Sequence, residues 1–166
     1  PAADQSGRAI TDEMALATDV WSLVGEARLK VLIWEVYDSA LFTPSGRWQG
    51  DAPYRLSLHY LRNIPAAKLV EETEKAWREQ GRNHPRLNEW LGLLGDLWPD
   101  ITEGDNLVFG LNELGDSAFW FNGSPLGSIE DRDFGPLFGG ILLDPDTPRP
   151  ELRAQLIGPT SKLAKN

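Results

Sequence analysis

YRLSLHYLRNIPAAKLVEETEKAWREQ, residues 54–80, changes its hydrophobic period half-way along. In its first part Tyr54, Leu56, Leu58 and Tyr60 point one way and Arg55, Ser57 and His59 the other. Successive side chains of a strand project to opposite faces, so 54–62 reads as a strand with one buried and one wet face, as in an antiparallel sheet. From Ala66 the repeat is helical: Ala66, Leu69, Val70, Thr73, Trp77 and Gln80 fall within one arc of about 100°. Pro65 suits a first helical turn, where a missing N–H costs nothing, and Gly81 suits the stop. Glu71–Lys75 and Glu74–Arg78 are favourable pairs one turn apart. The stretch predicts a strand followed by a helix over 66–80 that packs on the sheet through Leu69, Val70 and Trp77.

The same two periods organise the rest. LKVLIWEVY, 29–37, is β-branched and aromatic, with apolar residues on both faces at 31–34, and predicts a buried central strand. Residues 38–43 continue it as a short second strand or a bent extension, and TPSGRWQGDAP, 43–53, is a loop. RLNEWLGLLGDLW, 86–98, carries Leu87, Trp90, Leu91, Leu94 and Leu97 on one helical face, ended by Pro99. NLVFGL (106–111) and AFWFN (118–122) are strands joined through NELGD, and Asn122-Gly123 is a tight turn into SPLGSI. Helices return at 131–143, interrupted by glycines, and at 149–157, with Pro150 in the first turn. The order β, β, α, α, β, β, β, α, α predicts an α+β domain, with helices on one face of an antiparallel sheet. Residues 1–20 read as a loose polar arm, 21–158 as the single folded domain and 159–166 as a tail.

Composition narrows the function. At 166 residues and 18.5 kDa the chain is one domain, and 41% hydrophobic with 25% charged residues is globular. The absence of cysteine excludes disulfides, thiolate metal sites and a cysteine nucleophile. No apolar run approaches the roughly 20 residues of a membrane-spanning helix. The net charge is −9, and residues 88–131 hold nine acids with no Lys or Arg. Such a surface repels nucleic acid and anionic membranes alike, since both are bound by neutralising phosphates with cationic patches. Ten of the 16 basic residues lie in 28–86, which leaves room for a local basic face there.

Common catalytic signatures are absent: no G-x-S-x-G elbow, no phosphate-binding G-x-x-x-x-G-K loop, no dinucleotide glycine fingerprint. His59 and His84 fall on a strand and in a loop, as ordinary polar-face histidines do. Asp131/Asp133 and Asp144/Asp146 have Asp-x-Asp spacing but lack the oxygen array of a calcium loop, so neither a metal nor a cofactor is expected. Lys68 lies one turn before Glu72 on the polar flank of the first helix, where the plain reading is a solvated ion pair. Of seven tryptophans, Trp77 and Trp90 belong to helix core faces, while Trp48 falls in a polar loop, placed for a cleft wall or for the core.

Five strings together resemble the bacterial chalcone isomerase-like family: LVGEARLKVLIWEVYDSALFTPSGRW (23–48), PYRLSLHYLRNIPAAKLVEETEKAWREQG (53–81), WPDITEGDNLVFGL (98–111), FWFNGSPLGSIEDRDF (119–134) and ILLDPDTPRPELRAQLIG (141–158). The resemblance implies an open-faced β-sandwich, an antiparallel sheet under a layer of helices, with a cleft between the layers. The plant isomerases of this fold close a chalcone to a flavanone using an arginine, a threonine and a helix bearing Tyr-x-x-Lys-x-x-x-Asn. The helix motif falls on Pro65, Lys68 and Glu72, so only the lysine matches; Tyr37 stands in the threonine's place and Arg28 in the arginine's. Loss of several donors to a phenolate and enolate costs orders of magnitude in rate, so chalcone isomerisation is not expected.

What the resemblance implies instead is a non-catalytic protein binding a small apolar carboxylate such as a fatty acid, with Arg28, Tyr37 and Lys68 gripping the carboxylate and Glu72 and Trp34 beside them. By two-residue alternation Leu32, Trp34 and Val36 share Arg28's face and form an apolar wall. Two alternatives are an isomerase or lyase with a site rearranged around Lys68 and Glu72, and a partner-binding envelope accessory domain without a ligand. The related bacterial chains resemble exported proteins, which implies a periplasmic or secreted home for a mature form that begins after its signal segment.

Overall fold

In the computed structural model the described residues are 21–158; the arm 1–20 and the tail 159–166 lie outside them. Six strands form one antiparallel sheet in strict chain order: β1 (Ser22–Val31), β2 (Trp34–Thr43), β3 (Tyr54–Tyr60), β4 (Asn106–Leu111), β5 (Ser117–Phe121) and β6 (Ser124–Gly127). Two helices, α1 (Ala66–Glu79) and α2 (Leu87–Leu97), are inserted between β3 and β4, and α3 (Phe134–Leu143) and α4 (Pro150–Leu156) follow β6. The α+β architecture expected from the period changes, and the open-faced sandwich that the resemblance implies, are the architecture observed.

One expectation is corrected. Residues 29–37 are not a single buried central strand. The chain reverses at Leu32-Ile33, so the segment is the end of edge strand β1, a two-residue turn and the start of β2. Leu32 takes a left-handed φ of 57°, at the first central turn position where glycine is favoured. No Gly, Asn or Pro marks this turn, and its apolar residues are the most exposed large hydrophobics among the described residues: Leu32 is 90% and Ile33 83% accessible.

Cross-strand partners sort the sheet's two faces. Ala27, Leu29, Tyr37, Ser39, Leu41, Tyr54, Leu56, Leu58, Tyr60, Leu107, Phe109 and Phe119 pair across strands as the inner, helix-facing set. Arg28, Asp38, His59 and Asn106 run across the outer face in register. A bulge between Leu29 and Lys30 leaves Val36 as an extra residue on β2. Past it Lys30 pairs with Glu35 and Val31 with Trp34, which puts Trp34 on the inner side and reverses the alternation read from the sequence.

The centre of the inner face is sealed by rings. Trp77 of α1 is 1% exposed; it meets Trp90 of α2 at 6.1 Å and Phe134 of α3 at 6.4 Å, and its Nε1 donates to the Leu137 carbonyl at 2.9 Å. The helix is therefore held through neighbouring helices as much as through the sheet, a refinement of the expected packing. Phe134 and Phe138 stack at 5.4 Å over Phe109 and Phe119. The glycines of α3 explain how it comes so near. A Cβ at Gly139 would stand 1.7 Å from the Tyr54 hydroxyl, and one at Gly135 2.4 Å from Leu111 Cδ1. Tyr54 has no room to swing away, wedged between Trp48 at 5.5 Å and Phe109 at 6.2 Å. Trp48, partly buried, therefore packs against the core.

Candidate functional site

The five residues singled out from the sequence do not meet at one point. Arg28 lies on the outer face, away from the helices, and its fork is spent there: Nε donates to Asp38 Oδ1 at 2.7 Å, Nη2 to Asp38 Oδ2 at 2.9 Å, and Nη1 bonds Glu35. Arg28 in turn holds the Asp38 carboxyl below the usual range. Lys68 and Glu72 are exposed on α1; Lys68 Nζ lies 3.2 Å from Glu72 and 3.3 Å from Glu71, and these carboxylates push the ammonium pKa up. This is the solvated ion pair of the plain reading. Only Tyr37 and Trp34 belong to the inner side. Leu32, Trp34 and Val36 form no wall beside Arg28, because the turn and the bulge intervene between them.

What assembles around Tyr37 is different. Its ring meets Tyr60, its partner on β3, edge to face at 5.6 Å. Both phenols are buried, and desolvation of the phenolate pushes both pKa values up. One charge opposes this at Tyr37: the guanidinium of Arg149, close enough to favour the ionised phenol. The chain path accounts for the meeting. A Cβ at Gly25 of β1 would strike the Leu156 carbonyl oxygen at 2.6 Å, so the end of α4 rests on β1 there. Helix α4 then runs back roughly 10 Å at 1.5 Å per residue, which brings Arg149, just before Pro150, toward Leu29 and Tyr37. Arg149 is exposed and forms no ion pair among the described residues; its backbone N–H donates to Thr147 Oγ1 at 3.0 Å. At the same end of the sheet Arg62 lays its guanidinium over the Trp34 ring, 4.1 Å from the centroid. The inner-face end thus offers two phenols, an aromatic wall and two cations without carboxylate partners among the described residues.

Neither Arg149 nor Arg62 was singled out from the sequence. Arg149 sits in TPRP, 147–150, which reads as a helix boundary. Its signal was being the cation held by two flanking prolines at the start of a helix that packs on the sheet.

The remaining polar clusters are structural. Arg82 binds Asp146 at 2.9 Å and Asp144 at 2.8 Å, with Gln80 Nε2 donating to the Gly140 carbonyl, and so ties the α1–α2 loop to the end of α3. His84 stacks on Trp90 at 4.5 Å and reaches Asp133 at 3.0 Å; Arg86 reaches Asp131 at 2.6 Å. Both Asp-x-Asp pairs are thereby occupied, and no group of three metal-ligating side chains exists among the described residues. Two surface recesses, of about 300 and 360 Å³, lie beside Trp77 and Leu87 and beside Ser117 and Ile129; none of the five predicted residues lines either.

With this geometry in place, comparison with known proteins is informative about the fold. No family profile matches the sequence, and no curated protein matches it. Among solved structures the chain is similar to an Arabidopsis thaliana fatty-acid binding protein (AtFAP1), with a TM-score of 0.66 and 11% identity over 89% of this chain and 92% of that one. The fold is the chalcone isomerase-like open-faced sandwich. Six antiparallel strands and four helices follow it through the described residues.

Proposed function

We propose that the protein is a non-catalytic binder of a small apolar carboxylate, of the fatty-acid class, held at the inner-face end by Tyr37 and Arg149. The observation that carries this reading is the buried Tyr37–Tyr60 pair, in edge contact at 5.6 Å at the edge of an apolar face and within the field of the Arg149 guanidinium, which has no carboxylate partner among the described residues. A carboxylate drawn into an apolar site needs a charged partner, and the planar arginine fork accepts it through two parallel bonds. Tyr37 supplies a further O–H, kept neutral by burial, while Leu29 and Leu41 share its face. The fatty-acid binding described for the structural neighbour supports the ligand class. A rearranged isomerase built on Lys68 and Glu72 has less support, because those two side chains neutralise each other in solvent.

The test is a titration with a long-chain fatty acid followed by tryptophan emission. Charge-assisted hydrogen bonds are worth roughly 1.5–3 kcal/mol, so Arg149→Met is expected to weaken binding by about tenfold or more. Arg28→Met, on the opposite face, is expected to bind as the parent does. Equal affinity in Arg149→Met removes this anchor; no binding in the parent chain removes the ligand reading itself.

A further inference from the structure

The β1–β2 hairpin ends in four consecutive apolar residues, Val31, Leu32, Ile33 and Trp34, which are 39%, 90%, 83% and 49% exposed. They form a projecting tip, not a groove. Leu32 occupies its left-handed turn position against the steric preference of a side chain bearing a Cβ. Glycine would sit there more comfortably, yet the position carries a large aliphatic group pointed at solvent. Two cations flank the tip, Lys30 at the end of β1 and Arg62 stacked on Trp34, and neither forms an ion pair among the described residues. The nearest acids on the hairpin, Glu35 and Asp38, are engaged by Arg28.

We infer that this tip docks on a lipid bilayer, with Leu32 and Ile33 entering the acyl region, Trp34 at the interface and Lys30 and Arg62 among the headgroups. A projecting apolar finger rimmed by cations suits a deformable hydrocarbon surface beneath charged headgroups, one of the partners that an exposed apolar patch marks. Tryptophan is enriched at the membrane–water boundary, and long cationic side chains lie along apolar surface while keeping their charge in water. The two cations match the negative potential of an anionic leaflet, in a chain whose net charge of −9 otherwise opposes it. The acid-rich stretch 88–131 supplies no residue to the hairpin, although its turn at 102–105 reaches the same end of the sheet, where the Glu103 N–H donates to Asn63 Oδ1 at 2.8 Å, one residue from Arg62. The docking is an interaction of the tip and does not require that the protein carry a ligand.

Flotation of the purified full chain with phosphatidylcholine vesicles, with and without phosphatidylglycerol, tests it. The parent chain is expected to float, more strongly with the anionic lipid. Leu32→Ser with Ile33→Ser removes the aliphatic anchors and is expected to weaken binding by about tenfold or more. Leu32→Gly is the sharper variant: it relieves the left-handed φ and is expected to raise Tm while lowering flotation, so loss of binding there is not loss of folding. Lys30→Ser with Arg62→Ser is expected to abolish the preference for anionic vesicles. Absence of flotation, equal flotation by the Leu32/Ile33 variant, or an anionic preference that survives loss of both cations would overturn the inference. So would a concentration-dependent dimer that the Leu32/Ile33 substitutions disperse, since the tip would then belong to a second copy.

Discussion

The two ends of the inner sheet face solve one packing problem differently. Over β3, β4 and β5 the face is closed: Trp77, Trp90, Phe134 and Phe138 interlock with Phe109 and Phe119, and the glycines of α3 bring that helix against Tyr54 and Leu111. Over the start of β2 the same face is finished with phenols, and the charges nearby are Arg149 and Arg62, neither of them paired with a carboxylate among the described residues. The closed end holds the molecule together. The phenol end buries polar groups in place of rings, and the proposed carboxylate site is placed there. The contrast also separates two arginines that sequence treats alike: Arg28, satisfied on the outer face, and Arg149, available on the inner one.

The comparison breaks most plainly at the closed end. Trp77→Ala is expected to cost about 3–5 kcal/mol, the range for removing a fully buried large aromatic, read by denaturant unfolding. It is expected to leave fatty-acid affinity at the phenol end unchanged under conditions where the variant is folded. Gly139→Ala comes next. Its Cβ would overlap the Tyr54 hydroxyl, which is hemmed in by Trp48 and Phe109, and overpacking of this kind costs about 1–3 kcal/mol, outweighing alanine's better helix propensity. A variant as stable as the parent would show that α3 can lift off the sheet, and that the closed end is looser than the ring contacts indicate.

The smallest effect concerns acid. Arg82 holds the Asp146 carboxyl below its ordinary value, with Gln80 adding a hydrogen bond. A depressed carboxylate adds stability above its unfolded pKa, near 4, and that stability is lost as pH falls through the lower folded value. Asp146 is half exposed, so the contribution is about 0–1 kcal/mol. Arg82→Gln is expected to flatten stability against pH between pH 5 and 2. An unchanged slope would assign the acid sensitivity to Asp38, Glu89 and Asp105, which are depressed as well.

Much of this architecture could be read from side-chain order. Helix α1 was legible because one stripe, with Trp77 at its centre, repeats through four turns with charged pairs on the other side. Strand β3 was legible because its outer residues are polar as far as His59. The β1–β2 hairpin was not, because turn prediction relies on residues that tolerate left-handed backbone, and this turn is Leu-Ile. The faces assigned to Arg28 and Trp34 failed for a related reason: one bulged residue, Val36, shifts the alternation and leaves no trace in hydrophobicity. The α3 glycines looked like weaknesses in a helix, whereas their meaning is a distance to another element, which no local pattern contains. Arg149 was hidden in the same way, since its relation to Tyr37 arises only where α4 lies back across β1.

The strict β1-to-β6 order of the sheet also bears on how the chain finds its fold. Four of the five strand pairings join neighbours across short connections, two residues in the case of Leu32-Ile33 and five in 112–116. The pairing of β3 with β4 alone spans the helical insertion, residues 61–105. By the logarithmic law for loop closure, this joint costs about 2 kcal/mol more entropy than a five-residue connection. Packing α1 against α2 shortens the effective excursion, and the backbone bridge between Ile64 and Ile101 pins its two ends together. Each side of the joint is a ribbon that forms from local contacts, three strands on either hand, and the helical hairpin between them is the clasp.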